Sequence, residues 1–181
     1  MTKLDIGCGK NKREGFIGVD QYAMDGVDIV MDVRQKWTFD SDSVEEAHCS
    51  HFLEHLSGPE RVKFYNELFR VLKPGAKATI ITPHWASNRA YGDPTHQWPP
   101  VAEMGFYYLK QEWRDTQAPH TDIKWNPDGY SCNFDATWGY SFTPDLGNRN
   151  QEYVQFALQN YKEAAQDMIA TLIKPAPKPA D

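Results

Sequence analysis

The sequence predicts an α/β fold in which a mostly parallel sheet is flanked by helices. Short apolar runs recur in the first half of the chain and end on polar residues, as in residues 3–6, 15–20 and 27–33. Continuous apolar runs of this length are typical of strands that are buried on both faces. A clear helix between two later runs requires a parallel crossover, which is almost always right-handed.

Each predicted element follows from a local pattern. We predict strands over residues 3–6, 15–20, 27–33, 44–50 and 76–82. The clearest helix begins at Gly58-Pro59 and ends before Lys73-Pro74-Gly75. Proline in the first turn and glycine after the last turn are the usual signals for the start and end of a helix. Apolar residues recur between them at helical spacing, at Val62, Tyr65, Leu68, Phe69 and Leu72.

The second half of the chain is less regular. Residues 84–132 are rich in proline, tryptophan, tyrosine and histidine and keep no period, apart from a possible helix over residues 101–113. Irregular stretches of this length usually act as lids or binding loops, so we predict a lid or acceptor insertion here. A sixth strand over 133–142, an amphipathic helix over 152–165 and a final strand over 168–173 complete a single domain, residues 1–174. The proline-rich tail, 175–181, is expected to be disordered.

Composition limits the classes of protein and partner. The chain has 181 residues, a formal charge of −6 and no apolar run that could cross a bilayer. No signal-peptide core is seen, and the three cysteines are widely spaced, so we expect a cytoplasmic protein with reduced thiols and no membrane contact. The negative charge disfavours nucleic acid as a partner. The oligomeric state is left open.

The segment Leu4-Asp5-Ile6-Gly7-Cys8-Gly9 is the most informative motif. It predicts a strand that runs into a loop where glycines allow a ligand to lie against the backbone. A dinucleotide site would require a third glycine where Lys12 stands, which argues against NAD and FAD.

Several ordered motifs resemble the class I S-adenosylmethionine-dependent methyltransferases. LDIGCG is followed by GVD, by Asp32-Val33, by WTFDSDS, by HFLEHL and by RVLKPGA. The resemblance spans about residues 3–83, with the small-molecule branch of the family favoured. It implies a Rossmann-like, mostly parallel, seven-stranded sheet with an antiparallel last strand, and S-adenosylmethionine as cofactor. The first crossover, residues 10–15, is shorter than the family pattern, so the middle of the chain is expected to help close the site.

The resemblance also implies a set of cofactor-binding residues. Gly7 and Gly9 would let the loop pack against the cofactor, while Asp5 would accept hydrogen bonds from loop amides or, through water, from the cofactor's ammonium group. A carboxylate such as Asp20 can accept from both ribose hydroxyls. Asp32 and Val33 would meet the adenine. The full predicted set is Asp5, Gly7, Cys8, Gly9, Asp20, Gln21, Asp32, Val33, Ser50 and His51.

Methyl transfer mainly requires that a nucleophile be held in line with the methyl group. If the acceptor is a hydroxyl or a protonated amine, a base is also needed. His84, Asp93 and His96 follow the fifth strand, where the acceptor should arrive, and are the candidate catalytic residues. No metal is expected in this interpretation.

Two alternatives stay open. The domain could bind S-adenosylmethionine without catalysis, as a sensor or a subunit. His51-Phe52-Leu53-Glu54-His55 also matches the H-x-x-E-H pattern, in which two histidines on one helix hold zinc and the glutamate acts as base, so a zinc hydrolase is a further possibility.

Overall fold

A single seven-stranded sheet organises the chain. The computed structural model describes residues 1–177, and the end of the predicted tail, residues 178–181, lies outside the described residues. The spatial order of the strands is β3-β2-β1-β4-β5-β7-β6. Their bounds are β1 Lys3–Ile6, β2 Ile17–Asp20, β3 Ile29–Val30, β4 Val44–Ser50, β5 Leu72–Pro83, β6 Asp135–Phe142 and β7 Ala165–Ile173.

The pairing directions confirm the predicted fold class. Strands β1 to β5 pair in parallel with one another, whereas β7 runs antiparallel to both β5 and β6. The last strand is therefore the antiparallel one, as the sequence predicted.

Seven helices flank the sheet within the described part of the chain. The longest after α1 is α7, and the others are single turns or little more. Their bounds are α1 Gly58–Val71, α2 Arg89–Gly92, α3 Glu103–Tyr107, α4 Gln111–Thr116, α5 Asp122–Trp125, α6 Pro144–Gly147 and α7 Gln151–Asn160. Helix α1 begins where predicted because the Glu60 carboxylate accepts from both the amide and the hydroxyl of Ser57, at 2.8 and 2.7 Å.

Several predicted boundaries were wrong: β2 and β6 begin two residues later than predicted, β5 and β7 begin four and three residues earlier, and three elements differ more. The third strand is only two residues long, and the carboxylates of Asp28 and Asp32 on either side of it accept from the Gly18 and Arg34 amides. The predicted helix over 101–113 is two short helices, α3 and α4. Helix α7 stops at Asn160, and Glu163, at φ 61°, turns the chain into β7. The helical spacing of apolar residues in the sequence extends beyond Asn160 because Ala164 and Ala165, at the start of β7, are also buried.

The core lies on one face of the sheet. Alternate residues of the central strands point to it, and α1 packs over them. The connection between β3 and β4 contains no helix. Trp37, from this connection, packs into the core where a helix would lie, and its ring is edge-on to that of Phe64 with 5.6 Å between centroids. The central members of this core are Leu4, Ile6, Ala47, Cys49, Phe64, Leu68, Ala78, Ile80, Ala170 and Leu172.

The opposite face is largely open to solvent. From the centre of the sheet, β1, β2 and β3 lie in order toward one edge, and β4 and β5 lie in order toward the other. Right-handed connections within these two sets of strands therefore lie on opposite faces of the sheet. The two connections of the first set, residues 7–16 and 21–28, hold no helix that could cover their face. Lys3, Glu46 and Lys77 form a charged row across it, while Ile169 and Ile173 are 39% and 40% exposed.

Two features relate to the predicted cytoplasmic environment: the state of the cysteines and the length and polarity of the helices. All three cysteines are free and buried, and burial raises the pKa of the Cys132 thiol to about 12. Among residues 1–177, none of the helices has the length and apolar character that crossing a bilayer requires.

We predict that Trp37→Ala lowers the free energy of unfolding by roughly 3–5 kcal/mol, the usual cost of removing a buried large aromatic side chain. Trp37 is 2% exposed and its indole nitrogen donates to the Val33 carbonyl at 2.9 Å. Urea unfolding followed by far-UV circular dichroism measures the change. Tyr22→Ala, at a side chain that is 63% exposed, is the control and should stay within about 0.5 kcal/mol. Equal losses in the two variants would contradict the role given to Trp37.

Candidate active site

A cleft lies at the carboxyl ends of β1 to β4, and we call it the strand-end cleft. Open parallel sheets place their ligands at this edge. Five of the predicted cofactor-binding residues line it: Gly7, Asp20, Gln21, Asp32 and Val33. Five further lining residues were not in the predicted set: Met31, Arg34, Phe52, His55 and Leu56.

The glycine turn after β1 is shaped by Phe52. Gly7 has a φ of 67°, a conformation that favours glycine, and its amide donates to the Val19 carbonyl at 2.8 Å. A Cβ atom on Gly7 would come within 2.4 Å of the Phe52 ring. Only glycine therefore allows the ring of Phe52, which follows β4, to pack against the turn that follows β1.

Asp20 lies at the carboxyl end of β2 and is held by the backbone. Its Oδ2 accepts from the Gly9 amide at 3.0 Å, and its Oδ1 accepts from the Tyr22 amide at 3.2 Å. A carboxylate has about four acceptor sites. Asp20 therefore keeps about two sites for a ligand while its orientation is fixed.

Asp32 is paired with Arg34, a residue that the sequence reasoning missed. The guanidinium donates to both carboxylate oxygens at 2.8 and 3.0 Å, and the Arg34 amide adds a third bond at 3.0 Å. Hydrogen bonding from Arg34 lowers the pKa of Asp32, which is therefore ionised at neutral pH. Arg34 also donates to Gln21 at 3.1 Å, so one side chain ties the ends of β2 and β3 together.

Other members of the predicted set lie outside the lining of the strand-end cleft. Asp5 is 4% exposed, and its carboxylate accepts from the Arg13 amide at 2.7 Å and contacts His48 Nδ1 at 2.8 Å. The hydrogen bond from the Arg13 amide is one of the two roles predicted for Asp5. The members outside the lining are Asp5, Cys8, Gly9, Ser50 and His51.

His51 begins a second group of polar side chains at the ends of β4 and β7. It has a φ of 51°, and its Nδ1 and Nε2 atoms lie 3.4 Å from Glu54 and 3.9 Å from Asp167. The contact with Glu54 raises the pKa of His51, and Asp167 adds to the effect. Arg89 binds the other oxygen of Asp167 at 2.9 Å. Neither Asp167 nor Arg89 was among the candidate site residues, because they come from distant parts of the chain.

His84, a candidate catalytic residue, is fully buried. Its Nδ1 accepts from the Ala86 amide at 3.2 Å, so Nε2 carries the proton that is donated to Glu103 at 3.0 Å. Tyr140 also donates to Glu103, and burial beside this carboxylate raises the pKa of Tyr140 to about 12. Both ring nitrogens of the buried His84 are therefore engaged in hydrogen bonds inside the protein.

Asp93 and His96, the other two catalytic candidates, lie together near the turn after β4. Asp93 accepts from both the amide and the hydroxyl of Thr95, at 2.8 and 2.7 Å, and these bonds lower the pKa of Asp93. The ring of His96 lies edge-on to that of His55, with 4.7 Å between centroids. The insertion therefore brings His96 to a residue that also lines the strand-end cleft.

The H-x-x-E-H pattern does not form the helix that a zinc hydrolase of that class requires. Leu53–His55 form one turn of 3-10 helix, and His51 precedes it in a left-handed conformation. His51 and His55 therefore do not share one face of an α-helix.

A larger cavity of about 930 Å³ lies between α1 and the insertion. It is lined mainly by apolar side chains such as Val62, Met104 and Phe106, and shares no lining residue with the strand-end cleft. We assign the chemistry to the smaller strand-end cleft, because the polar groups at the ends of the parallel strands converge there.

Part of the chain is similar to a known protein family. The sequence model of a family described as a methyltransferase domain matches residues 10–80. No curated protein matches the chain in sequence.

Several solved structures share the fold. An S-adenosylmethionine-dependent methyltransferase from Archaeoglobus fulgidus is 19% identical, with a TM-score of 0.64 over 94% of this chain and 85% of that one. One from Methanosarcina mazei is 16% identical, with a TM-score of 0.57 over 97% and 93%. Geranyl diphosphate C-methyltransferase from Streptomyces coelicolor A3(2), solved with Mg²⁺, geranyl diphosphate and S-adenosylhomocysteine, is 14% identical, with a TM-score of 0.52 over 96% and 71%.

The chain therefore has the class I methyltransferase fold, as the resemblance implied, and residues 10–80 match a methyltransferase domain. The methyltransferase family uses S-adenosylmethionine as methyl donor. Methyl transfer is thus the enzyme activity, and S-adenosylmethionine the cofactor, that the comparisons support.

We predict that Gly7→Ala lowers the free energy of unfolding by roughly 1–3 kcal/mol, because the new Cβ meets both a positive φ and the Phe52 ring. Urea unfolding measures the loss. Gly105→Ala is the matched control, since this glycine lies in α3 with no atom within 4 Å of the added carbon. We expect Gly105→Ala to be neutral or slightly stabilising. A neutral Gly7→Ala would mean that the turn does not need a glycine.

Proposed function

We propose that this protein transfers the methyl group of S-adenosylmethionine to a small-molecule acceptor. The observation that carries the proposal is the strand-end cleft, where the glycine turn after β1 meets the fixed carboxylate of Asp20. The match of residues 10–80 to a methyltransferase domain supports the same site, because that segment supplies nine of the ten lining residues.

The chemistry of the cleft fits the cofactor. Asp20 keeps about two acceptor sites, which suit the two ribose hydroxyls. Arg34 occupies about three of the four acceptor sites of Asp32, so Asp32 has room for about one bond from the adenine amino group. Met31, Val33 and Leu56 add apolar surface of the kind that covers a purine ring.

The task left to the protein is mainly one of position. S-adenosylmethionine supplies a methyl group on a positively charged sulfur, with a neutral thioether as leaving group. The chain has to bind both molecules, align the acceptor and exclude water. The turn from Phe52 to His55 and the insertion residue His96 form the side from which the acceptor would approach.

A small acceptor agrees with the charge of the protein. The formal charge of −6 disfavours a polyanion as acceptor. The small-molecule branch of the family is part of this proposal, and so is a cytoplasmic location, which the three free cysteines support.

We predict that the purified protein binds S-adenosylmethionine and S-adenosylhomocysteine with micromolar or tighter affinity. Asp20→Asn should weaken both by at least about tenfold, or ~1.4 kcal/mol, because it removes a charge-assisted bond to the ribose. Isothermal titration calorimetry measures both constants.

Asp25→Asn is the matched control, since Asp25 is exposed and does not line the cleft. Unfolding curves of both variants should overlay that of the parent, which separates lost binding from lost folding. Absence of binding to the folded parent protein would reject the proposed function. Binding without turnover on any acceptor would favour a protein that holds the cofactor without catalysis.

A further inference from the structure

Glu54, His55 and His96 form a compact cluster between the strand-end cleft and the insertion, and we call it the Glu54-His55-His96 cluster. One possible ligand atom from each side chain lies within 4.8 Å of the other two. Glu54 and His55 come from the turn after β4, and His96 comes from the insertion, 41 residues after His55. The fold therefore builds the cluster from two separate segments.

The hydrogen bonds of His55 fix its free nitrogen. Thr95 Oγ1 donates its proton to Asp93 at 2.7 Å, so the same oxygen must accept from His55 Nδ1 at 3.0 Å. The proton of a neutral His55 is thus on Nδ1, and its Nε2 presents a lone pair. Metal-binding histidines usually have this support, in which the second ring nitrogen donates to a fixed acceptor.

His96 is fixed in the same way. Its Nδ1 lies 3.2 Å from the Ala90 carbonyl, which can only accept, so the proton is again on Nδ1. When neutral, both imidazoles therefore offer an Nε2 lone pair, and Asp93 Oδ2 lies 3.9 Å from His96 Nε2. The two rings, at 4.7 Å between centroids and each with Nδ1 engaged, are arranged as a pair of ligands.

Glu54 supplies the third donor, and its carboxylate has a buried oxygen that lacks a hydrogen-bond partner. The residue is 4% exposed, and its Oε2 is buried without a hydrogen-bond partner. An unpaired buried carboxylate oxygen is costly, and such a group calls for an explanation. Glu54 Oε1 lies 3.4 Å from His51 Nδ1, and a cation bound by the Glu54 carboxylate and the two histidines would give this buried group a further partner and use both lone pairs.

We propose that the Glu54-His55-His96 cluster binds one divalent transition-metal ion of the zinc or iron(II) class. Two imidazoles and one carboxylate form the donor set that such ions use when coordination positions stay open for water or substrate. Magnesium is disfavoured because it prefers oxygen ligands. His51 is not part of the set, so this site differs from the H-x-x-E-H zinc centre considered from the sequence.

The position of the cluster suggests its use, and this part rests on the proposed function. His55 also lines the strand-end cleft, so an open coordination position can face the acceptor. The inferred acceptor is a small molecule with a hydroxyl that binds the ion and loses its proton to solvent more readily. The oxygen forms the bond to the methyl group, the carbon–sulfur bond breaks with its electron pair left on sulfur, and the products are a methyl ether, S-adenosylhomocysteine and a proton.

The test is metal binding by the full chain without any methyl donor. After dialysis against a chelator, the protein is titrated with Zn²⁺ by calorimetry and with Co²⁺ by visible absorption. We expect one equivalent of Zn²⁺ with micromolar or tighter affinity, and Co²⁺ bands of a site with nitrogen and oxygen ligands. Mg²⁺ at the same concentration should give neither signal.

Glu54→Gln and His96→Ala should each weaken Zn²⁺ binding by at least about 100-fold, since changes in the supporting groups alone cost 10–100-fold. Thr95→Val removes the acceptor of His55 Nδ1 and should cost about 10–100-fold. His120→Ala, at an exposed histidine, is the matched control and should bind as the parent does. Unfolding curves establish that each variant is folded.

Two results would overturn the site: no Zn²⁺ binding to the folded parent, or equal affinity in Glu54→Gln and the parent. These results are distinct from failure of the proposed function. Donor binding is measured in chelator and metal binding without donor, so either can fail while the other holds.

Discussion

The parallel pairing of β1 to β5 is the constraint on which the rest of the molecule depends. Strands that run in one direction end at one edge of a sheet, so the residues that follow them converge there. Gly7 follows β1, Asp20 ends β2, Asp32 follows β3 and Phe52 follows β4. The four residues are distant in sequence and line one cleft because the sheet brings the ends of their strands together.

Short connections between these strands are stabilised by charged side chains instead of helices. Asp5 accepts from the amide of Arg13, and Asp28 accepts from the amide of Gly18 and from Lys12 Nζ. The buried carboxylate of Asp5 thus satisfies an amide of the first connection, and the exposed carboxylate of Asp28 satisfies an amide of β2. Because the connections 7–16 and 21–28 contain no helix, their face of β1 to β3 has no helical layer.

Sequence patterns were sufficient where one segment decides the outcome. The start and end of α1, the strands at residues 3–6 and 44–50, and the acids at the ends of β2 and β3 depend on local signals. Arg34 and Phe52 were missed because their roles depend on contacts between strand ends. His96 was singled out from its position after β5, but its pairing with His55 depends on how the insertion folds back, which no periodicity records.

The insertion is anchored to the turn after β4 by backbone contacts, and this has a consequence for the site. The Gln97 amide donates to the Glu54 carbonyl at 2.8 Å, and the buried guanidinium of Arg61 binds the carbonyls of Leu53 and Pro99 at 3.2 and 2.7 Å. Arg61 thus joins α1, the turn and the insertion around one fixed charge. Because Glu54 and His55 belong to the same turn as Phe52, any movement of the insertion that shifts His96 also acts on the wall of the strand-end cleft. The strand-end cleft and His96 are therefore joined through the turn that follows β4.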